Sequence, residues 1–399
     1  MQKPSQPAVA VAPARLTSLD AYRGFVMLLM ASEGLGITQV ARTLKESGFW
    51  QFMSYQTDHV AWRGCSLWDL IQPSFMFMVG VAMPYSLASR QAKGQPASQM
   101  FLHALWRALM LVFLGIFLRS VGKEQTYFTF EDVLTQIGLG YPLLFLLAWT
   151  KPRVQLVSAV SILFFYWLAF ALFPLPGPDF DYQKVGVPAD WPHLQGFAAH
   201  WDKNTNFAAA FDQWFLNVFP RAKPFVFNGG GYLTLSFVPS LGTMIFGLLA
   251  GGLLRSSRPP TGKFWALVAA GVGGLALGWL LDATGVCPSV KRIWTPSWAL
   301  FSTGWTCLLL AGFYGAIDLK GYSGWSFPLL VVGMNSIAMY CMAHLFDRFI
   351  RDSLRIHLGR HVFDLFGTVY APILERSAML FVLWLLCFWL YKRRIFLRI

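Results

Sequence analysis

Charge is the first thing this sequence lacks. Asp, Glu, Lys and Arg together make up only 13% of its 399 residues, where a soluble domain carries about a quarter. So little charge cannot cover a globular surface, which excludes a soluble enzyme and an ordinary two-domain cytosolic protein. Acids are especially few: 19 against 32 Lys and Arg, for a net charge of +13. In a soluble chain that excess would raise nucleic-acid binding. In a membrane protein it is the usual basic content of the loops, and nucleic acid is not expected as a partner. The five cysteines, Cys65, Cys287, Cys307, Cys341 and Cys387, are odd in number and form no CxxC. Zinc and dithiol redox motifs are therefore absent. The histidines are dispersed, with no ligand spacing beside acids, so no metal is expected. The first 13 residues lack the apolar core of a signal peptide. The first apolar run is therefore expected to stay as a span, and a bacterial inner membrane is the expected location.

Apolar character is what the chain has in abundance. Hydrophobic residues are 56% and aromatics 17%, with mean hydropathy +0.49. Aromatics at that level exclude disorder, and apolar runs of membrane length recur along the chain. About ten are legible, near 20–40, 67–89, 100–118, 132–149, 154–173, 233–254, 263–282, 297–317, 326–346 and 373–391. The expected fold is all-α, a polytopic integral membrane protein with about ten transmembrane helices. A polar tail, 1–14, precedes a single membrane domain, 15–399. One long connection, 174–232, is rich in Pro, Asp, Trp and Asn and has no span-length run. With the N-terminus inside, the inner segments hold Lys3, Arg15, Arg90, Lys93, Lys151, Arg153, Arg255, Arg258, Lys263, Lys320, Lys392, Arg393, Arg394 and Arg398, with Asp318 their only clear acid. The positive-inside rule then gives N-in and C-in, with 174–232 on the outer side.

Two stretches carry candidate chemistry. The first, Arg15 to Gly24, opens the first span. Thr17 and Asp20 have capping-box spacing, while Arg15 and Arg23 could frame an inner mouth for an anionic cofactor, with Asp20 between them. The second runs from Asp58 to Phe75. His59 lies ten residues before Asp69, and Asp69 starts a span. A His beside a carboxylate is a good general base near neutral pH. Ser66 and Asp69 also have capping-box spacing, so Asp69 has a purely structural reading as well. Ionisable or polar groups inside spans are costly and invite a functional reading. Glu33 is a candidate second acid at an acceptor site. Asn335 and Ser336 are candidates to bind a thioester carbonyl or pantetheine amides, or to bond between helices. Trp62, in an outer segment, could stack on a sugar ring or pack within the loop.

These stretches resemble the catalytic domain of the heparan-α-glucosaminide N-acetyltransferase family, transmembrane acyltransferases with bacterial relatives. The family's SLDxxRG, HxxWxG and DLxxPxFxFxxG are matched by Ser18-Leu19-Asp20, Arg23-Gly24, His59, Trp62, Gly64, Asp69-Leu70, Pro73, Phe75, Phe77 and Gly80. Val133–Tyr141, Val238–Thr243, Lys291–Ser297 and Gly333–Tyr340 are similar to its VLQRIGxxY, LPAIxT, KxLWTxS and GMNSIxxY. Six collinear motifs cover roughly 15–345. The departures are Ala31–Gly36 in place of an Asn-bearing end to the first span, Gln136 in place of Arg, and Asn228–Tyr232 in place of DPEG.

The resemblance implies a membrane-embedded acetyltransferase. Acetyl-CoA would bind from the cytoplasm, near Arg15, Asp20 and Arg23. A glucosamine-type amino sugar or glycan would bind at the outer face, with Glu33, Trp62, Lys291, Trp294, Asn335 and Ser336 contributing. His59 would be the general base and Asp69 would orient it, with direct attack preferred to an acetyl-histidine intermediate. A homodimer is compatible with this reading. The alternatives are an O-acetyltransferase of a surface glycan, a sugar or small-molecule transporter, and a structural membrane subunit.

Overall fold

The computed structural model describes residues 16–397, apart from the side chain of Arg360. Arg15, the tail 1–14 and Arg398 lie outside the described residues. Helix accounts for about 72% and no strand occurs among the described residues. One isolated bridge pairs Arg63 with Val290. The helices are α1 (Thr17–Ala31), α2 (Ile37–Thr43), α3 (Gly48–Gln56), α4 (Ile71–Ala92), α5 (Ala97–Ser120), α6 (Val133–Leu147), α7 (Pro152–Leu172), α8 (Phe207–Phe215), α9 (Phe237–Arg255), α10 (Pro260–Ala283), α11 (Pro296–Phe313), α12 (Phe327–Gly333), α13 (Ser336–Leu358) and α14 (Ala371–Lys392).

Seven helical stretches are long and apolar enough to cross a membrane. Two bent pairs add a broken span each: α1 with Glu33–Thr43, bent by 41°, and Gly324–Gly333 with α13, bent by 67°. The shorter apolar helix α6 completes the ten stretches legible in the sequence. The chain is thus an all-α polytopic membrane protein. The outward side chains of α5, α7 and α10 are large and apolar, including Leu102, Trp106, Phe165, Trp265 and Trp279. Only contact with lipid tails makes such faces stable in a membrane protein.

Glycine sets how closely the central helices meet. A Cβ on Gly80 of α4 would come within 1.9 Å of the Met244 carbonyl oxygen of α9, and one on Gly247 within 2.1 Å of the Phe77 carbonyl oxygen. Small residues let membrane helices approach backbone to backbone, where dispersion replaces the missing hydrophobic drive. This contact fixes α4, the helix that carries the candidate site.

Local order departs from the sequence reading at α1. Its first turn is held from outside, by the Ser18 N–H donating to Asp318 at 3.2 Å, and no side chain caps it. The expected Thr17–Asp20 capping box is therefore not formed. The turn after α1 is left-handed over four residues, with φ of 45° at Glu33, 66° at Gly34, 51° at Leu35 and 67° at Gly36. Glycine supplies two of those positions freely, whereas Glu33 and Leu35 are strained.

Candidate active site

Asp69 sits in the helical turn Trp68–Leu70 that leads into α4. The Ser66 N–H donates to its Oδ2 at 3.1 Å, and the Asp69 N–H donates back to Ser66 Oγ at 3.3 Å. This is a reciprocal capping box, so the structural reading of Asp69 holds. It leaves Oδ1 free for a second task. His59 Nδ1 lies 2.7 Å from that oxygen, and the Val60 N–H donates to Oδ2 at 3.3 Å. The carboxylate is 1% exposed and the imidazole 34% exposed. A buried carboxylate accepting from Nδ1 fixes the proton there and leaves Nε2 as the basic nitrogen.

Lys291 closes the cluster. Its Nζ lies 3.4 Å from Asp69 Oδ1 and 3.1 Å from His59 Nδ1, and the side chain is 5% exposed. Burial pushes its ammonium down to about 8, against the pull of Asp69. Burial also lowers the His59 pKa; the Asp69 hydrogen bond opposes that shift and the Lys291 charge adds to it. The net direction favours the neutral imidazole. Lys291, expected at a substrate, stands against the His–Asp pair.

The loops hold this cluster from several sides. Arg292 donates to the Gly230 carbonyl at 2.5 Å and to the Val60 carbonyl at 3.2 Å. Its guanidinium stands 5.1 Å from the Tyr232 ring centroid, and that ring meets His59 edge-on at 6.4 Å. Arg63 pairs with Asp282 at 2.8 Å, tying the His59 loop to the end of α10. Ser66 and Tyr232 were not singled out from the sequence as site residues, whereas the family motif suggested that Asp282 and Arg292 support the site. Arg292 and Tyr232 lie inside quoted motif stretches, but spacing alone could not show that they face His59.

The other nominated residues separate into groups. Trp62 is 4% exposed. Its Nε1 donates to the Trp201 carbonyl at 3.1 Å, and its ring meets Trp191 edge-on. It packs the long loop. Trp294 is 1% exposed and donates to Thr243 at 3.2 Å, within the central core. Glu33 pairs with Arg376 of α14. Both line a cavity of about 280 Å³ with Asp58 and Trp68, beside the His59 loop. Asn335 is fully buried and serves the chain's own backbone: it donates to the Ile395 carbonyl and accepts from the Leu397 N–H, both at 3.1 Å.

Ser336, Asp20 and Arg23 line a second, larger cavity of about 700 Å³, a size suited to a small-molecule ligand. Arg23 is 3.2 Å from Asp20. Its lining includes the basic groups Arg23, Arg90, Lys93, His103 and Arg107, with Arg90 and Lys93 at the end of α4 and Arg107 bonded to Tyr141 at 3.3 Å. It is also lined by Met27, Phe75, Met78, Leu134, Ile137 and Tyr141. On α4 it extends from Phe75 to Lys93, about 27 Å of helix. Asp69 lies six residues beyond Phe75, about 9 Å further along the axis. The span Trp68–Ala92 thus carries Asp69 at its start and a wall of this cavity along its length.

An all-α membrane protein with a shielded His–Asp pair and a long cavity is the class that these features define. The chain is a distant relative of heparan-alpha-glucosaminide N-acetyltransferase. It is 21% identical to the Homo sapiens protein of that name over 438 aligned positions, covering 99% of this chain and 62% of the relative. It is 22% identical to the Mus musculus protein over 365, covering 82% of this chain and 53% of the relative. The chain therefore spans less than two thirds of the length of these curated relatives. No protein-family model matches it.

Proposed function

We propose that this protein is a membrane acetyltransferase that takes acetyl from acetyl-CoA and gives it to an amino sugar of the glucosamine type. The observation that carries this reading is the span Trp68–Ala92, which bears Asp69 at one end and a wall of the cavity with basic lining along the rest. A CoA thioester has a polyanionic nucleotide and a thin, nearly uncharged arm. Arg23, Arg90, Lys93 and Arg107 suit the nucleotide, and the apolar lining suits the arm. The phosphates stay at the basic end, which the loop charges assign to the cytoplasm. The acceptor enters at the His59 end, which the same rule assigns to the outer face, and the Glu33 cavity lies beside it.

His59 Nε2 takes the proton from the acceptor amine as it attacks the thioester carbon. Asp69 holds the Nδ1 proton and stabilises the imidazolium that forms. Attack is direct, because holding amine and thioester together gains the proximity term without a second activated carrier. The distant relatives, by their name, are N-acetyltransferases of a glucosaminide, which supports the amine as acceptor.

The test uses protein in nanodiscs, radiolabelled acetyl-CoA and a panel of amino sugars, with His59→Ala beside the wild type. Label should reach an amino sugar with the wild type and not with the variant. Transfer only to hydroxyl acceptors would replace N-transfer by O-transfer. Full activity in a folded His59→Ala protein would remove His59 as the base.

A further inference from the structure

A buried amide pair stands between the two halves of the site. Gln72 of α4 donates through Nε2 to Gln136 Oε1 of α6 at 3.1 Å. The residues are 9% and 2% exposed. Gln72 lies three residues from Asp69 and three from Phe75, about 4.5 Å of helix rise from each. Val79, Met83 and Arg90 follow it at 7, 11 and 18 residues, so all four share one face of α4. Those three line the large cavity, as does Val133, one turn before Gln136. The amides therefore sit where the cavity runs out and the His–Asp cluster begins.

Their hydrogen bonding is incomplete. Among the described residues the amide pair makes only the bond between its own two members. The N–H groups of Gln136 are left to donate elsewhere. An amide held through its oxygen keeps its N–H groups for a ligand. Gln72 and Gln136 also both lie in the first turns of their helices, α4 and α6, where the helix dipoles favour negative charge.

We infer that Gln136, held by Gln72, is the oxyanion donor of acyl transfer. This rests on the acetyl-transfer reading. The amine nitrogen forms a bond to the thioester carbonyl carbon, and the C=O π pair moves onto oxygen. That oxygen accepts from Gln136 Nε2 while the amine proton passes to His59 Nε2. The pair then returns, the C–S bond breaks, and the CoA sulfur leaves with its electrons and takes up the proton from His59. Gln136 is a catalytic residue in this scheme. Gln72 is a positioning residue, since its own Nε2 is spent on Gln136.

The experiment compares wild type, Gln136→Met, Gln72→Met and the double variant in nanodiscs. Replacing both amides by apolar groups of similar volume leaves no orphaned partner and keeps the fold accessible. Loss of one oxyanion donor costs roughly a hundred- to a thousand-fold in kcat. Gln136→Met and the double variant should show that fall with the acetyl-CoA KM nearly unchanged, and Gln72→Met a smaller one. The carbonyl stretch of bound 1-13C-acetyl-CoA, read in a His59→Ala background, should lie lower with Gln136 present than with Met. An interhelical strut with no catalytic part would move neither the kcat of a folded double variant nor the carbonyl frequency, and either result would overturn the inference. Wild-type protein that transfers no acetyl would bring down the function reading and this inference together. An active wild type with an equally active Gln136→Met would bring down this inference alone.

Discussion

Lys291 Nζ stands 3.1 Å from His59 Nδ1, close enough to set how readily the imidazole takes a proton. Burial of the site pushes the His59 pKa below the ordinary value, the Asp69 hydrogen bond opposes that, and the Lys291 charge adds to it. The base is then present at lower pH than a free histidine would allow. The acid limb of kcat/KM should lie below about 6.5. Lys291→Met removes a like charge, so the limb should move to higher pH. An unmoved limb would separate Lys291 from the titrating base. The same shift affects stability: the unfolded chain binds the proton more readily. The His59 contribution should therefore be present above about 6.5 and be lost as pH falls from there through the lower folded-state value.

Asp69→Asn keeps the shape of the site and removes the charge that pairs with Lys291 at 3.4 Å. It also favours the wrong tautomer of His59. Acetyl transfer should fall by on the order of a hundred-fold or more. Leaving the Lys291 ammonium buried and unpaired should cost about 3–5 kcal/mol. A thermal melt of the detergent-solubilised protein reads the stability loss, and restoration of the melt by the Asp69→Asn/Lys291→Met pair checks its cause.

The α4–α9 contact predicts a sharp contrast between neighbouring glycines. A Cβ on Gly247 would meet the Phe77 carbonyl oxygen at 2.1 Å, whereas a Cβ on Gly252 has nothing within 4 Å. Gly247→Ala should push α4 and α9 apart and lower both the melting temperature and activity. Gly252→Ala should change neither by more than a small amount, since alanine favours helix. Size-exclusion profiles and melts of the two variants decide it.

Asn335 fastens the segment 395–397 by two backbone hydrogen bonds, and Leu397 lines the large cavity. Asn335→Leu removes both bonds and leaves two backbone groups without partners. The segment should become sensitive to protease at Arg393 and Arg394, and the KM for acetyl-CoA should rise severalfold. A variant with wild-type protease resistance and KM would show that the clamp is idle.

Lys93 lines the same cavity at the basic end and is exposed. Lys93→Glu reverses a charge facing the proposed nucleotide. The acetyl-CoA KM should rise by about 3–10-fold at low salt, and the difference should shrink as ionic strength grows, because screening weakens exposed charges. Equal KM values at all salt concentrations would place the phosphates elsewhere.

Composition and apolar run length determined the fold class. Lipid demands that each span satisfy its own backbone, so low charge and ten apolar stretches leave little besides a helical bundle. Where a stretch is broken the sequence was less legible: 20–40 and 326–346 read as single spans but are bent at Glu33 and Asn335. The bends depend on left-handed backbone and on clamps to residues far along the chain. The His59–Asp69 pair was legible because both residues sit in one short stretch, ten apart. Lys291, 232 positions beyond His59, became its neighbour only through the loop that Arg63 and Asp282 hold in place. Trp294 was nominated by the family motif and Asn335 as a polar group in a span; the fold adds that Trp294 bonds Thr243 in the core and that Asn335 clamps the backbone near Ile395. Local spacing fixes what lies within a helix turn or two. Which end of α4 meets the Lys291 loop, and which face of it lines the cavity, is set by glycine contacts and ion pairs between distant segments, and those exist only in the folded chain.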